Sequence, residues 1–354
     1  MRTLMFVRKG ELEWHEAPAL RVTGPLEAVV RPIAATACDL DRRILMGATP
    51  FQPPFALGHE CVAEVLDVGD RVEHIVPGDV VVVPWHINCG TCASCRSGMT
   101  AHCDTVPGPI NCYGVPIGAD YGGLFSEEVR VPFADGMLVK VPAGLDPAWV
   151  ASASDNLTDA YIGVARALAK HPGVPVLVIG GLESLPLMAI THALAAGAAS
   201  VDYVDENEER RQAASRLGAT THAVLPPSFD RAFRVVIGGS REGAMLTSAI
   251  RCLAPGGHLS NVAMFFADTS FPMWEAYQRD ISVSLGMPSV RPHIPKVLSL
   301  AACGHIHPER IITPCAWDEA PTELVKPHLK PVMVRSRVMT AAAPPLAPPL
   351  PARP

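Results

Sequence analysis

Aromatic side chains are scarce in this sequence. It holds 5 Trp, 5 Tyr and 10 Phe, or 6% of 354 residues, which leaves few platforms on which single-stranded bases could stack. Basic charge is not in excess either: 29 Lys and Arg stand against 35 Asp and Glu, a net charge of −6. A protein that holds nucleic acid through its phosphates is ordinarily basic, so that class drops out. Unbroken hydrophobic runs are missing as well. The most apolar stretch, 174–201, is interrupted by Gly180, Gly181, Glu183, Pro186 and His192, whereas a membrane span needs about 20 continuous apolar residues. The opening MRTLMFVRKGELEWHEAP carries charges where a secretory signal needs an apolar core. The expectation is a soluble, cytoplasmic protein with neither a membrane nor a nucleic acid as partner.

Apolar residues make up 49% and charged residues 18%, enough for a substantial core. The length suits two or three domains. The 35 prolines are about twice average usage. Some of that excess lies in the tail 341–354, AAAPPLAPPLPARP, which reads as a solvated, disordered end. Within it, Pro348–Arg353 also fits P-x-x-P-x-R, a polyproline pattern.

Ten cysteines in a long chain without a signal point to metal ligation or catalysis rather than disulfides. Four of them, Cys89, Cys92, Cys95 and Cys103, form C-x2-C-x2-C-x7-C. Such short gaps let the thiolates converge on one tetrahedral ion, and four ligands close its shell, so the site is expected to be structural zinc. An iron–sulfur cluster also takes four cysteines, and four free thiols are the remaining reading.

Short β-type runs between Gly and Pro fill the chain up to about Val141: TLMFV, EAVVRPI, CVAEVLDV, DVVVVPW, SEEVRVP and MLVKVP. They predict an all-β, barrel-like domain. From Asp159 onward, helical periodicity alternates with the strands VPVLVIGG, ASVDYVD, HAVL, RVVIGG and HLSNVAMF. That alternation predicts a doubly wound parallel sheet. It stops near Pro288, and the short runs that follow are expected to return to the first domain. The expected boundaries are 1–155 with a zinc lobe at 86–104, then 156–290, a return over 291–338, and the tail 339–354.

The first turn of the second domain is a weak dinucleotide signal. Gly180 fits G-x-G-x-x-G, but Leu182 and Leu185 stand at the other two glycine positions, with Gly181 between. Context strengthens it: the next strand ends at Asp205, where an acid can accept the adenosine ribose hydroxyls and repel a 2′-phosphate. NAD is therefore favoured over NADP. Arg210, Ile237 and Val262 complete the candidate cofactor set. Alternatively, Asp205 caps the helix that begins near Glu206. A separate trio, Cys38, His59 and Asp155, offers the donors of an open metal site at spacings of 21 and 96 residues. Asp41 could accept the other imidazole N–H of His59. Here too a plainer account stands: Cys38 as packing and Asp155 as a helix cap.

Several pieces together resemble the zinc-dependent medium-chain alcohol dehydrogenases, which join a GroES-like β-barrel to a Rossmann domain. They are C-x-x-D at Cys38–Asp41, G-H-E at Gly58–Glu60, P-G-D at Pro77–Asp79, the four-cysteine lobe, GGLFSEEVRVP at Gly122–Pro132 and P-G-G at Pro255–Gly257. The resemblance spans about Met1 to Arg335. It implies two zinc ions per chain and hydride transfer between an alcohol or carbonyl compound and NAD(H). Cys38, His59 and Asp155 would hold the catalytic zinc, with Glu60 as an alternating ligand. It also implies a homodimer or homotetramer joined through an edge strand, for which ISVSLG at Ile281–Gly286 is the candidate.

The departures from that family pattern are specific. Leu40 stands where many members carry a hydroxyl that contacts the substrate oxygen. Arg43 stands where some carry a proton-relay histidine. Leu157-Thr158-Asp159 replaces Pro-Thr-Gly, whose Thr often touches the nicotinamide. With the leucines in the glycine turn, these leave a second hypothesis open: a zinc-stabilised, non-enzymatic relative that has lost tight dinucleotide binding. The zinc-free quinone reductase branch conflicts with the cysteine lobe and with G-H-E.

Overall fold

The computed structural model describes residues 1–106, 108 and 110–335, so the expected tail lies outside the described residues. Two large sheets organise the chain. The first has seven strands, in the order Ile312–Ala316, Lys330–Val334, Ala28–Thr36, Glu60–Val68, Val80–Val83 and Val139–Lys140, with Val129–Val131 also paired to Ala28–Thr36. All its pairings are antiparallel except that of Ile312–Ala316 with Lys330–Val334. A three-stranded antiparallel sheet of Glu11–Glu16, Arg2–Arg8 and Phe55–Ala56 accompanies it. Two of the first sheet's strands thus come from the far end of the sequence. Their pairing completes it only after the chain has built the second sheet.

The second sheet has six parallel strands: Thr220–His222, Val201–Val204, Val176–Ile179, Phe233–Gly238, Leu253–Asn261 and Ser282–Ser284. Numbered along the chain, that order is 3-2-1-4-5-6, whose reversal between strands 1 and 4 opens a crevice at the carboxyl ends. The first strand, VLVI, is buried throughout because helices cover both faces. The helix Asn156–Lys170 turns Leu157, Ala160, Val164, Ala167 and Leu168 inward at helical spacing and stops before Pro172-Gly173. In the helix Leu185–Ala195, Leu185 to Ala193 are all buried, which accounts for the apolar run at 174–201. Among the described residues no helix is long and apolar enough to cross a membrane. One core joins the two large sheets: Val62, Val82 and Trp85 pack in the same cluster as Val176 and Ile237.

Candidate metal centre and cofactor crevice

Cys38 sits just before the short helix Asp39–Leu45 and caps it: its sulfur accepts from Leu40 N–H, while Asp41 accepts from Cys38 N–H at 3.0 Å. This capping box fixes Cys38 and Asp41 on one small frame. His59 follows Gly58, whose positive φ of +97° and close approach to Phe125 exclude a side chain. Asp155 occupies the N-cap position of Asn156–Lys170, yet its side chain makes no capping bond. It turns instead to His59 Nε2, at 3.5 Å, and Cys38 Sγ, at 3.1 Å. The cap reading of Asp155 therefore fails. Ligand atoms of Cys38, His59 and Asp155 all lie within 4.8 Å of one another, and all three residues are buried. Asp41 Oδ1 stands 3.5 Å from His59 Nδ1, the position of an orienting partner.

The electrostatics call for a cation. Burial, and then the charges of Asp155, Glu60 and Asp41, push the Cys38 thiol well above its ordinary range. Burial opposes charge on His59, but Asp41 and Asp155 overcome it and lift the imidazole to about 9. Asp41 Oδ1 and His59 Nδ1 remain without a full hydrogen bond although buried. A thiol and an imidazole meeting a carboxylate, with orphaned polar atoms around them, is a donor set that fits zinc.

Glu60 is not part of that group. Its Oε1 accepts from Ser152 Oγ at 2.8 Å and Asn156 N–H at 2.9 Å, and its Oε2 is held by Lys330 Nζ. Both oxygens being committed in this arrangement, Glu60 stands as a buried ion-pair member behind the site. Burial, only partly offset by Lys330, raises Glu60 to about 7. Lys330 escapes sequence reasoning; its one signal is a charge at the head of the apolar strand KPVMV. Leu40 is half-buried against the core of the first sheet, and Arg43 is spent on the carbonyl of Ala48.

In the lobe, Cys89, Cys92, Cys95 and Cys103 converge with sulfurs inside the same 4.8 Å limit. N–H groups of Thr91 and Cys92 point at Cys89 Sγ, and those of Cys95 and Asp104 at Cys92 Sγ, all at 3.3–3.4 Å. Burial would raise the Cys89 thiol, but bonds from Thr105 and Thr91 bring it down to about 5, the thiolate form that metal binding requires. A third group, Cys315, Glu323 and His328, also comes together. Its carboxylate is already shared between Lys326 and His328.

The cofactor crevice differs from expectation. Leu182 and Leu185 do not obstruct it, because both side chains are buried in the shared core. Gly180 and Gly181 are required: a Cβ on Gly180 would fall 2.1 Å from Asp205 Oδ2, and Gly181 has φ +112°. Asp205 is no cap, since Asn207 caps the helix Glu208–Arg216. Nor is its carboxylate free for a ribose. It accepts from Gly181 N–H, Tyr203 O–H, Asn207 N–H and, twice, from Arg210. Ile237 is fully buried in the core, so its side chain does not line open space, while Val262 is half-buried and packs against that core. Thr158 is buried and donates to Ala153 carbonyl at 2.7 Å. A pyrophosphate would need free N–H groups at the start of Leu185–Ala195. Those of Ser184 and Leu185 are bound to Asp39. As they stand, the residues at this position do not fit a dinucleotide's phosphates.

Comparison with known proteins agrees with this architecture. A family model for the alcohol dehydrogenase GroES-like domain matches residues 24–143, and one for zinc-binding dehydrogenases matches 185–302. The alcohol dehydrogenase TADH of Thermus sp. ATN1 superposes with a TM-score of 0.84 at 33% identity, over 95% of this chain and 100% of that one. A probable zinc-binding alcohol dehydrogenase of Mycobacterium tuberculosis is 29% identical over 323 residues, 88% of this chain and 81% of its own length. A putative zinc-binding dehydrogenase of Sinorhizobium meliloti, bound to NADP, shares the fold at 24% identity, with a TM-score of 0.77 over 94% of this chain and 98% of its own.

Proposed function

Because this chain belongs to the zinc-dependent medium-chain alcohol dehydrogenases, we propose that it interconverts an alcohol and its aldehyde or ketone at the Cys38/His59/Asp155 site, with NAD as hydride partner. The family makes it a zinc-dependent oxidoreductase and implies a nicotinamide cofactor; the non-enzymatic alternative is not favoured. The second zinc is assigned to Cys89, Cys92, Cys95 and Cys103. One observation carries the reading: three metal donors from distant parts of the chain meet in a buried, anion-rich cluster.

Zinc in that cluster supplies Lewis acidity toward an alcohol or carbonyl oxygen. The chain's own residues do the rest. Asp41 and the Cys38 capping box hold the donors in place, and Gly58 sets the approach of His59. Lys330 balances the carboxylate of Glu60 behind them. Half-buried Leu40 adds apolar surface next to Cys38, which favours substrates that cover it over small polar alcohols. NAD is preferred on the state of Arg210: a cation that could receive a 2′-phosphate is already neutralised by Asp205.

The test is metal content and turnover together. Isolated protein is expected to carry two zinc ions and to oxidise members of an alcohol panel with a higher kcat/KM for NAD than for NADP. Asp155→Ala should keep the lobe zinc, lose the other and drop in activity by more than the roughly 10–100-fold that changes behind a metal site cost. Two zincs with normal turnover in that variant would remove the assignment.

A further inference from the structure

Asp39 stands beside Cys38, but its carboxylate faces the other way, into the crevice of the parallel sheet. There it accepts from Ser184 N–H at 3.1 Å, from Ser184 Oγ at 2.7 Å and from Leu185 N–H at 3.0 Å. Ser184 holds the N-cap position of Leu185–Ala195 without a capping bond from its own side chain. The anion at that helix start is therefore supplied by a residue 145 positions away. Asp39 is 5% exposed, and its carbonyl is tied to Arg241, from the loop after the fourth strand, at 3.0 Å. One residue thus bridges both sides of the switch point and the metal-bearing segment. The half-buried carboxylate of Glu183 lies in the same turn, with Arg42 at 4.0 Å.

We propose that Asp39 is the determinant of dinucleotide affinity in this chain, an internal anion that holds the pyrophosphate position and must leave before a dinucleotide enters. The proposal rests on reading this crevice as the cofactor site. The physical reason is competition for the same donors. A helix start offers a few free N–H groups and a partial positive charge, which favour one anion. A diphosphate brings further negative charge to donors that already serve a carboxylate, so the two cannot share them. The carboxylate is intramolecular and always present, so apparent affinity falls by the fraction of molecules in which it has swung away. The absent glycines at 182 and 185 are not the cause, since those side chains lie in the core. Cofactor binding in this chain is a displacement.

The experiment compares wild-type protein with Asp39→Asn and Asp39→Ala by calorimetry, using ADP-ribose, inorganic pyrophosphate and adenosine as probes. Zinc content and thermal stability are measured alongside, and the near-isosteric Asn variant guards against loss of fold. Removing the charge should tighten ADP-ribose and pyrophosphate by about tenfold or more, the scale of one charge-assisted contact at a helix start. Adenosine should not change. Equal or weaker ADP-ribose binding in a folded variant that keeps both zincs overturns the proposal, as does an equal gain for adenosine. The two readings fail differently. If ADP-ribose tightens but no protein reacts with NAD or NADP, the proposed activity falls and the role of Asp39 stands. If wild-type protein turns over NAD with an affinity that neither variant improves, the reverse holds.

Discussion

Glu60 and Lys330 are both withdrawn from solvent, with side-chain exposures of 0% and 1%. A buried pair of this kind adds little net stability, but breaking it leaves a charge with no partner. Lys330→Met is therefore expected to cost about 3–5 kcal/mol. Glu60→Gln added to it should recover much of that loss, because the orphaned carboxylate is gone. Urea denaturation of the two single variants and the double variant checks this; a double variant no better than Lys330→Met would mean that the lysine acts through Ala37, whose carbonyl it also binds at 2.8 Å. At this scale the sequence singled out Cys38, His59, Asp155 and Asp41, which the fold brings together, but gave no sign of the ion pair that holds Glu60. The reason is that Lys330 lies 270 positions away in the chain, and no local spacing announces such a partner.

The helix Leu185–Ala195 presses on Asn156–Lys170, and His192 lies in that contact, its Nε2 bonded to the carbonyl of Leu157 at 2.9 Å. Burial pulls the imidazole down to about 4, with the Leu157 carbonyl opposing weakly. An unfolded histidine titrates near 6.5. Between those values the unfolded chain holds the extra proton, so folding stability is present above about pH 6.5 and is lost as pH falls toward 4. This residue's share is about 3 kcal/mol. His192→Gln cannot titrate, so the gap between the wild-type and variant stabilities should narrow as pH falls across that window. Urea midpoints at pH 7.5, 5.5 and 4.5 measure it, and a constant gap would place the titration elsewhere. Periodicity anticipated the strands of the parallel sheet to within a few residues, since burial leaves its mark in sequence. It missed Glu11–Glu16 and Phe55–Ala56, which are paired by neighbours rather than by an apolar pattern of their own.

At the scale of the whole molecule, the parallel sheet ends in the edge strand Ser282–Ser284, inside the 281–286 segment expected to join subunits. Beside it in the chain, Met273, Trp274, Tyr277 and Leu285 are 67–79% exposed, and Trp274 stacks on Tyr277 at 5.8 Å. An unpaired edge flanked by large apolar side chains is a surface that a second copy can cover. Light scattering is expected to give a multiple of the chain mass. Leu285→Asp with Trp274→Asp should shift it to the single chain with zinc content intact. An unchanged mass would move the interface elsewhere.

Order along the chain was enough to predict the two sheet types and to mark the four-cysteine lobe, while the trio Cys38, His59 and Asp155 was singled out through the family resemblance. The sheet types and the lobe rest on periodicity and spacing, which the chain displays directly. Who meets whom across the two sheets was decided only by folding. Lys330 reaches Glu60 because a strand from the far end of the chain pairs with Ala28–Thr36. Asp205 is saturated because Gly180 and Arg210 close on it. The leucines in the glycine turn do not obstruct the crevice because the turn and the helix start bury both in the core, while Asp39, with no sequence signal, takes the donors they flank. Hydrogen-bonding capacity is finite, and which donor exhausts it depends on distances that only the packed structure sets.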